Sequence, residues 1–127
     1  MRTVLIVEDE PSNMHAFCVW LGALHFRVLE AASGYEALEA SRSNHGHIDL
    51  ALCDLQLPDM SGTEVAIELV KWHPQTAILF ISGTPLEGWS DFDLQNLRQL
   101  PPGAADFLEK PFLPSVLVAK VESRLNQ

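Results

Sequence analysis

Short apolar blocks recur along the chain, each followed by a longer stretch in which apolar positions return every three or four residues. The blocks are 3–7 (TVLIV), 26–31 (FRVLEA), 50–53 (LALC), 76–81 (TAILFI) and 105–108 (ADFL). Their length, β-branched content and bounding turn residues predict five strands. The first, third and fourth are nearly continuous in apolar residues, as in parallel strands covered on both faces, whereas FRVLEA alternates and suits an edge. Between them, residues 12–24 place Met14, Phe17, Cys18, Leu21 and Leu24 on one helical stripe, with Ser12 as its cap. Helices are also predicted over 33–43, with Tyr35 and Leu38 as apolar positions, over 61–72, and over 116–125, where Leu117, Val121 and Leu125 share a face. Over 90–99, Ser90 and Asp93 form a capping-box pattern and Phe92, Leu94, Leu97 and Leu100 an apolar side.

Five consecutive βα units predict a doubly wound α/β fold, because parallel strands need crossovers long enough to hold helices. At 127 residues the expectation is one domain over 1–127. A net charge of −9 without a basic cluster argues against nucleic acid or an anionic membrane surface as a direct partner. Cys18 and Cys53 are far apart with no CxxC spacing, which reads as buried thiols in a reducing compartment. No apolar run approaches the ~20 residues of a membrane span and no signal-peptide pattern opens the chain, so a cytoplasmic location is expected.

Ligands of doubly wound sheets bind at the carboxyl ends of the strands. There the chain carries Glu8, Asp9 and Glu10 after the first strand, Asp54 after the third, Ser82 after the fourth, and Lys110-Pro111 after the fifth. Two unit charges ~4 Å apart interact by ~4 kcal/mol at an effective dielectric of ~20, so Glu8, Asp9 and Asp54 together call for a positive ligand. Hard carboxylate oxygens point to Mg²⁺, and the five histidines stand at no ligand spacing that would favour zinc. Lys110 is a compact ammonium for a carboxylate or a phosphoryl oxygen, and Ser82 offers a hydroxyl donor. Asp54, at the end of the central strand, is the expected nucleophile in an attack on phosphorus, a reaction that needs mainly positioning and charge neutralisation. Glu10 is read as solvated, and Cys53 as facing the opposite side of its strand from Asp54.

IVEDE at 6–10, LCDLQLPDMSG at 52–62, ISG at 81–83 and EKPF at 109–112 together resemble the signature set of the receiver domain of two-component response regulators. The resemblance runs through essentially the whole chain. It implies a flavodoxin-like (βα)5 fold with strand order 2-1-3-4-5, and a phosphoryl group taken from a phosphohistidine of a sensor histidine kinase or histidine phosphotransfer protein. It also implies Asp54 as phosphoacceptor, Glu8 and Asp9 as the acidic Mg²⁺ pair, and Gln56 as a metal ligand through its carbonyl. Ser82 and Lys110 would grip the phosphate, with Lys110-Pro111 cis. Ser82 and Phe107 would form the switch that alters a surface on the fourth helix, fifth strand and fifth helix, read by a downstream effector or a second receiver. Gln56 and Thr84, each two residues past a site member, border the route of water to the phosphate and are expected to tune its lifetime.

The chain departs from the family pattern in its longer stretch between Ser82 and Lys110. Residues 83–103 are either an extended loop anchored by Trp89 and Phe92 or a segment that alters partner choice or dimerisation. Leu113 stands where many relatives have a capping Ser or Thr, which predicts a weaker start to the last helix. Two alternatives to a phosphorylation switch are a docking module that works without phosphate and a phosphatase acting through an aspartyl phosphate. The second of these usually needs an acid two residues beyond the nucleophile, where this chain has Gln56.

Overall fold

The computed structural model describes residues 1–126. Strands β1 (Thr3–Val7), β2 (Arg27–Ala31), β3 (Leu50–Asp54), β4 (Ala77–Ser82) and β5 (Ala105–Glu109) alternate with helices α1 (Pro11–Gly22), α2 (Gly34–Ser43), α3 (Gly62–Trp72), α4 (Asp91–Leu97) and α5 (Pro114–Leu125). All strand pairs are parallel, in the order β2-β1-β3-β4-β5. This is the doubly wound order expected from the sequence, with FRVLEA at an edge. No helix among the described residues is long and apolar enough to cross a membrane.

The continuous apolar runs of β1, β3 and β4 fill two cores because successive side chains point to opposite faces. Val4, Ile6, Leu50, Leu52, Leu79 and Ile81 pack with Phe17, Leu21, Leu117 and Val121 of α1 and α5. Leu5, Val7, Ala51, Cys53, Ile78 and Phe80 pack with Val65, Ala66 and Leu69 of α3 on the other side. At about 25 cal/mol per Å² of apolar surface, each such Leu, Ile or Val contributes about 1.5–3 kcal/mol.

Several local expectations need correction. Ser12 does not cap α1: the Glu10 side chain does, accepting from the N–H groups of Ser12 and Asn13 while Pro11 fills the first turn. Proline has no N–H to satisfy and its fixed φ suits that position, so the helix opens one residue earlier than the polar cap pattern suggests. In α2, Gly34, Ala37 and Ser41 form the buried face and Tyr35 is 62% exposed. Trp89 is buried, as an anchor should be, but Phe92 is 55% exposed. The inward positions of α4 go instead to Asn96 and the partly buried Leu94 and Leu97. As expected, Leu113 begins α5 without a side-chain cap.

Candidate functional site

The strand ends carry their side chains to one edge of the sheet. Backbone bonds extend the ladders past the strands, Glu8 N–H donating to Ala31 and Lys110 N–H to Ser82. Asp54 follows Leu50 and Leu52 on the α1/α5 side, while Cys53 lies in the opposite core. Burial pushes the Cys53 thiol up, so its thiolate is scarce. The loop after β3 turns sharply because Gly62 passes against the chain: a Cβ there would sit 2.3 Å from the Asp54 carbonyl oxygen. Ser61 and Glu64 then open α3 with a capping box.

One oxygen from each of Glu8, Asp9 and Asp54 falls within 4.8 Å of the others. Glu8 and Asp54 are buried and Asp9 is exposed. Lys110 Nζ lies 3.1 Å from Asp54 Oδ2 and 3.5 Å from Glu8 Oε1. The other Asp54 oxygen accepts the Gln56 N–H at 3.1 Å. Burial pushes the Glu8 carboxyl above its ordinary range, the Glu10 N–H opposes it, and the Asp54 charge adds to it. Burial alone would lower Lys110, but its hydrogen bond to Asp54 and the charges of Asp54 and Glu8 outweigh that and raise it. Lys110 is therefore a fixed ammonium. The peptide bond between Lys110 and Pro111 is cis.

One ammonium cannot balance three carboxylates, two of them buried, and the donor set is entirely hard oxygen. That combination fits a divalent cation such as Mg²⁺, with Glu8, Asp9 and Asp54 as its carboxylate holders. A cleft of about 420 Å³ opens on Glu8 and Asp9 along α1, and another of about 470 Å³ opens on Gln56 and Thr84. Glu10 stands outside the cluster, exposed, its carboxyl held low by the Ser12 hydroxyl and the Asn13 and Ser12 N–H groups.

The structure brings Glu8, Asp9, Asp54, Gln56 and Lys110 together. Ser82 occupies the end of β4 beside them but follows Phe80 on the α4 side, and its hydroxyl accepts the Thr84 N–H at 3.0 Å. Phe107 is partly buried and stacked on Phe80, with ring centroids 6.0 Å apart. Sequence reasoning found Trp89 only as a loop anchor and Asp93 only as half of a capping box, and missed their contacts with Phe107 and with α3. Trp89 meets both Phe80 and Phe107, and Asp93 joins α4 to α3. The one available signal was an isolated tryptophan directly before a helix cap.

The doubly wound sheet defines a class: a small α/β domain whose acidic cluster lies at the switch point of strand order, where such sheets bind their ligands. The comparisons narrow this to one family. The response regulator receiver domain family matches residues 4–122, and the chain belongs to it. It is 35% identical to "Sensor kinase CckA" of Brucella abortus (strain 2308), over 98% of this chain and 13% of that protein. It is 32% identical to "Transcriptional regulatory protein SrrA" of Staphylococcus aureus, over 98% of this chain and 48% of that protein. The chain thus spans half or less of the length of these curated relatives. Among solved structures, a CheY-like receiver domain protein from Methanospirillum hungatei JF-1 superposes with a TM-score of 0.84 at 26% identity, covering 99% of this chain and 94% of that one. The receiver domain of hybrid histidine kinase CckA superposes with a TM-score of 0.79 at 28% identity, covering 97% and 98%. The chain is a receiver domain of two-component signal transduction, a family that accepts phosphoryl groups.

Proposed function

We propose that Asp54 is the phosphoacceptor, that Glu8, Asp9 and the Gln56 carbonyl hold Mg²⁺ with it, and that residues 1–127 act as one switching unit. The observation that carries this reading is the Asp54 carboxylate between the Lys110 ammonium at 3.1 Å and the converging Glu8 and Asp9 oxygens. An Asp54 oxygen attacks phosphorus, an O–P bond forms, and the bond from phosphorus to the donor breaks. With a phosphohistidine the leaving group is imidazole nitrogen; with acetyl phosphate it is acetate. Lys110 then pairs with a phosphoryl oxygen, and the Ser82 hydroxyl donates to another. The bound cation supplies positive charge to the carboxylates and phosphoryl oxygens.

The donor we propose is a sensor histidine kinase or histidine phosphotransfer protein, and the reader an effector or second receiver that meets α4, β5 and α5. We assign this switch to the cytoplasm, where free Cys18 and Cys53 stay reduced, without direct contact to nucleic acid or membrane. The chain works as a switch and not as a turnover enzyme: Gln56 offers no acid two residues past Asp54 to release phosphate rapidly. Gln56 and Thr84 line the cleft beside the acceptor, and substituting either changes the rate of phosphate loss more than that of uptake.

Incubation with acetyl phosphate and Mg²⁺, read by intact mass, is expected to add one phosphate to the chain and none to Asp54→Asn. Retention of the added mass in Asp54→Asn would overturn the assignment.

A further inference from the structure

We propose that Trp89 is a positioning residue that couples the Ser82 hydroxyl to the Phe107 ring, so that a phosphoryl group on Asp54 is read out as a movement of the indole. This rests on the phosphoacceptor reading above and adds a residue to it.

The contacts form an unbroken path. Ser82 lies on the same side of β4 as Phe80, and its Oγ accepts the Thr84 N–H at 3.0 Å, which leaves the hydroxyl proton to donate. The Thr84 carbonyl in turn accepts the Trp89 Nε1–H at 3.0 Å. The indole is 7% exposed. It meets Phe80 edge-on at 5.7 Å and 87°, and Phe107 at 5.5 Å and 76°. Phe80 and Phe107 are themselves stacked with 18° between their planes. A phosphoryl oxygen is a stronger acceptor than any neutral group, so the Ser82 hydroxyl turns to it and the Thr84 peptide has to follow or lose its partner. The Trp89 N–H is tied to that peptide by its carbonyl.

Three rings in mutual contact do not deform smoothly, because interiors are packed at crystal-like density. Displacing the indole therefore re-seats Phe107. There is room for the exchange: a cleft of about 250 Å³ is bounded by Ser82, Thr84, Leu86, Trp89 and Phe107. About 150 Å³ suffices for a benzene ring. Phenylalanine at 89 would keep an aromatic ring but lose the N–H that ties it to Thr84. Trp89 also closes the short 3-10 turn Leu86–Gly88, whose Leu86 and Glu87 are exposed, so its motion changes the outer surface before α4.

The test uses the full chain labelled with ¹⁵N, with beryllofluoride and Mg²⁺ as the probe and its bound ¹⁹F signal as proof of loading. Of the three indole N–H resonances, the one missing in Trp89→Phe is expected to move on loading, while those of Trp20 and Trp72 stay. In Trp89→Phe, the displacement of the Phe107 amide signal is expected to shrink, because losing one neutral hydrogen bond moves the two-state balance about five-fold. A bound ¹⁹F signal with an unmoved Trp89 indole would overturn this coupling and leave Asp54 as the acceptor. A Phe107 response in Trp89→Phe equal to that of the unaltered chain would do the same. Absence of any bound ¹⁹F signal would overturn both readings.

Discussion

Two polar clusters reach into this domain from its surface, and they are built on opposite plans. Between α3 and α4, a single carboxylate, Asp93, is surrounded by neutral donors: Ser61 Oγ at 2.5 Å and Thr63 Oγ1 at 2.6 Å on one oxygen, and Ser90 Oγ at 3.2 Å on the other. Asn96 Nδ2 donates to Thr63 Oγ1 at 3.0 Å, and both residues are buried. At the strand ends, three carboxylates converge and the one ammonium among them contacts two, Glu8 and Asp54. The first cluster is complete as it stands, since each buried polar group has a partner of the right kind. The second is complete in hydrogen bonds but not in charge. Buried polar groups hold a structure together where their bonds close, and they await a ligand where their charges do not.

The largest effect should come from breaking the closed cluster. Thr63→Val leaves the Asn96 amide without its acceptor and Asp93 without one donor, at an expected cost of about 1–3 kcal/mol. Urea denaturation should show a lower midpoint with an unchanged slope. A midpoint equal to that of the unaltered chain would mean the network adds nothing. Next comes completion of the open cluster: Mg²⁺ at ten times its dissociation constant should stabilise the unaltered chain by about 1.4 kcal/mol. The gain should persist in Thr63→Val, because changes that share no partners add, and should shrink in Asp54→Asn. Equal gains in the unaltered chain and Asp54→Asn would place the cation elsewhere.

The smallest effect concerns Glu8, whose carboxyl is raised above its ordinary 4.5 first by burial. A raised carboxyl holds its proton more tightly folded than unfolded, so stability falls as pH climbs from 4.5 through the raised value. Without divalent cation, Glu8→Gln should match the unaltered chain below pH 4.5 and exceed it above the raised value, by no more than about 1 kcal/mol. Urea midpoints across that range measure it, and a Glu8→Gln chain less stable than the unaltered one at neutral pH would show that the ionised carboxylate is already compensated.

The open cluster was legible in the sequence because strand ends are where doubly wound sheets place their ligands, and Glu8, Asp9, Asp54 and Lys110 each end a strand or lie within two residues of its end. The closed cluster was not. Asp93 read as the capping-box partner of Ser90, and nothing local marked Thr63 or Asn96, which are buried because α4 packs against α3. The same cause explains the error over Phe92, which looked like an anchor by hydrophobicity and is 55% exposed, while Trp89 took the inner position. The start of α1 was misread for a local reason: Ser12 is the better cap by type, but Pro11 fits the first turn and the Glu10 carboxylate bends over it to reach two N–H groups.

Period-two alternation in strands, three-to-four spacing in helices and the turn residues between them determine the elements and their order, because each depends on neighbours within a few positions. Which carboxylates meet which cation, which polar side chains are drawn inward between helices, and which aromatic ring enters the core depend on groups tens of residues apart. Tertiary packing decided these, because hydrogen-bond and charge energies depend on distances that local pattern does not contain.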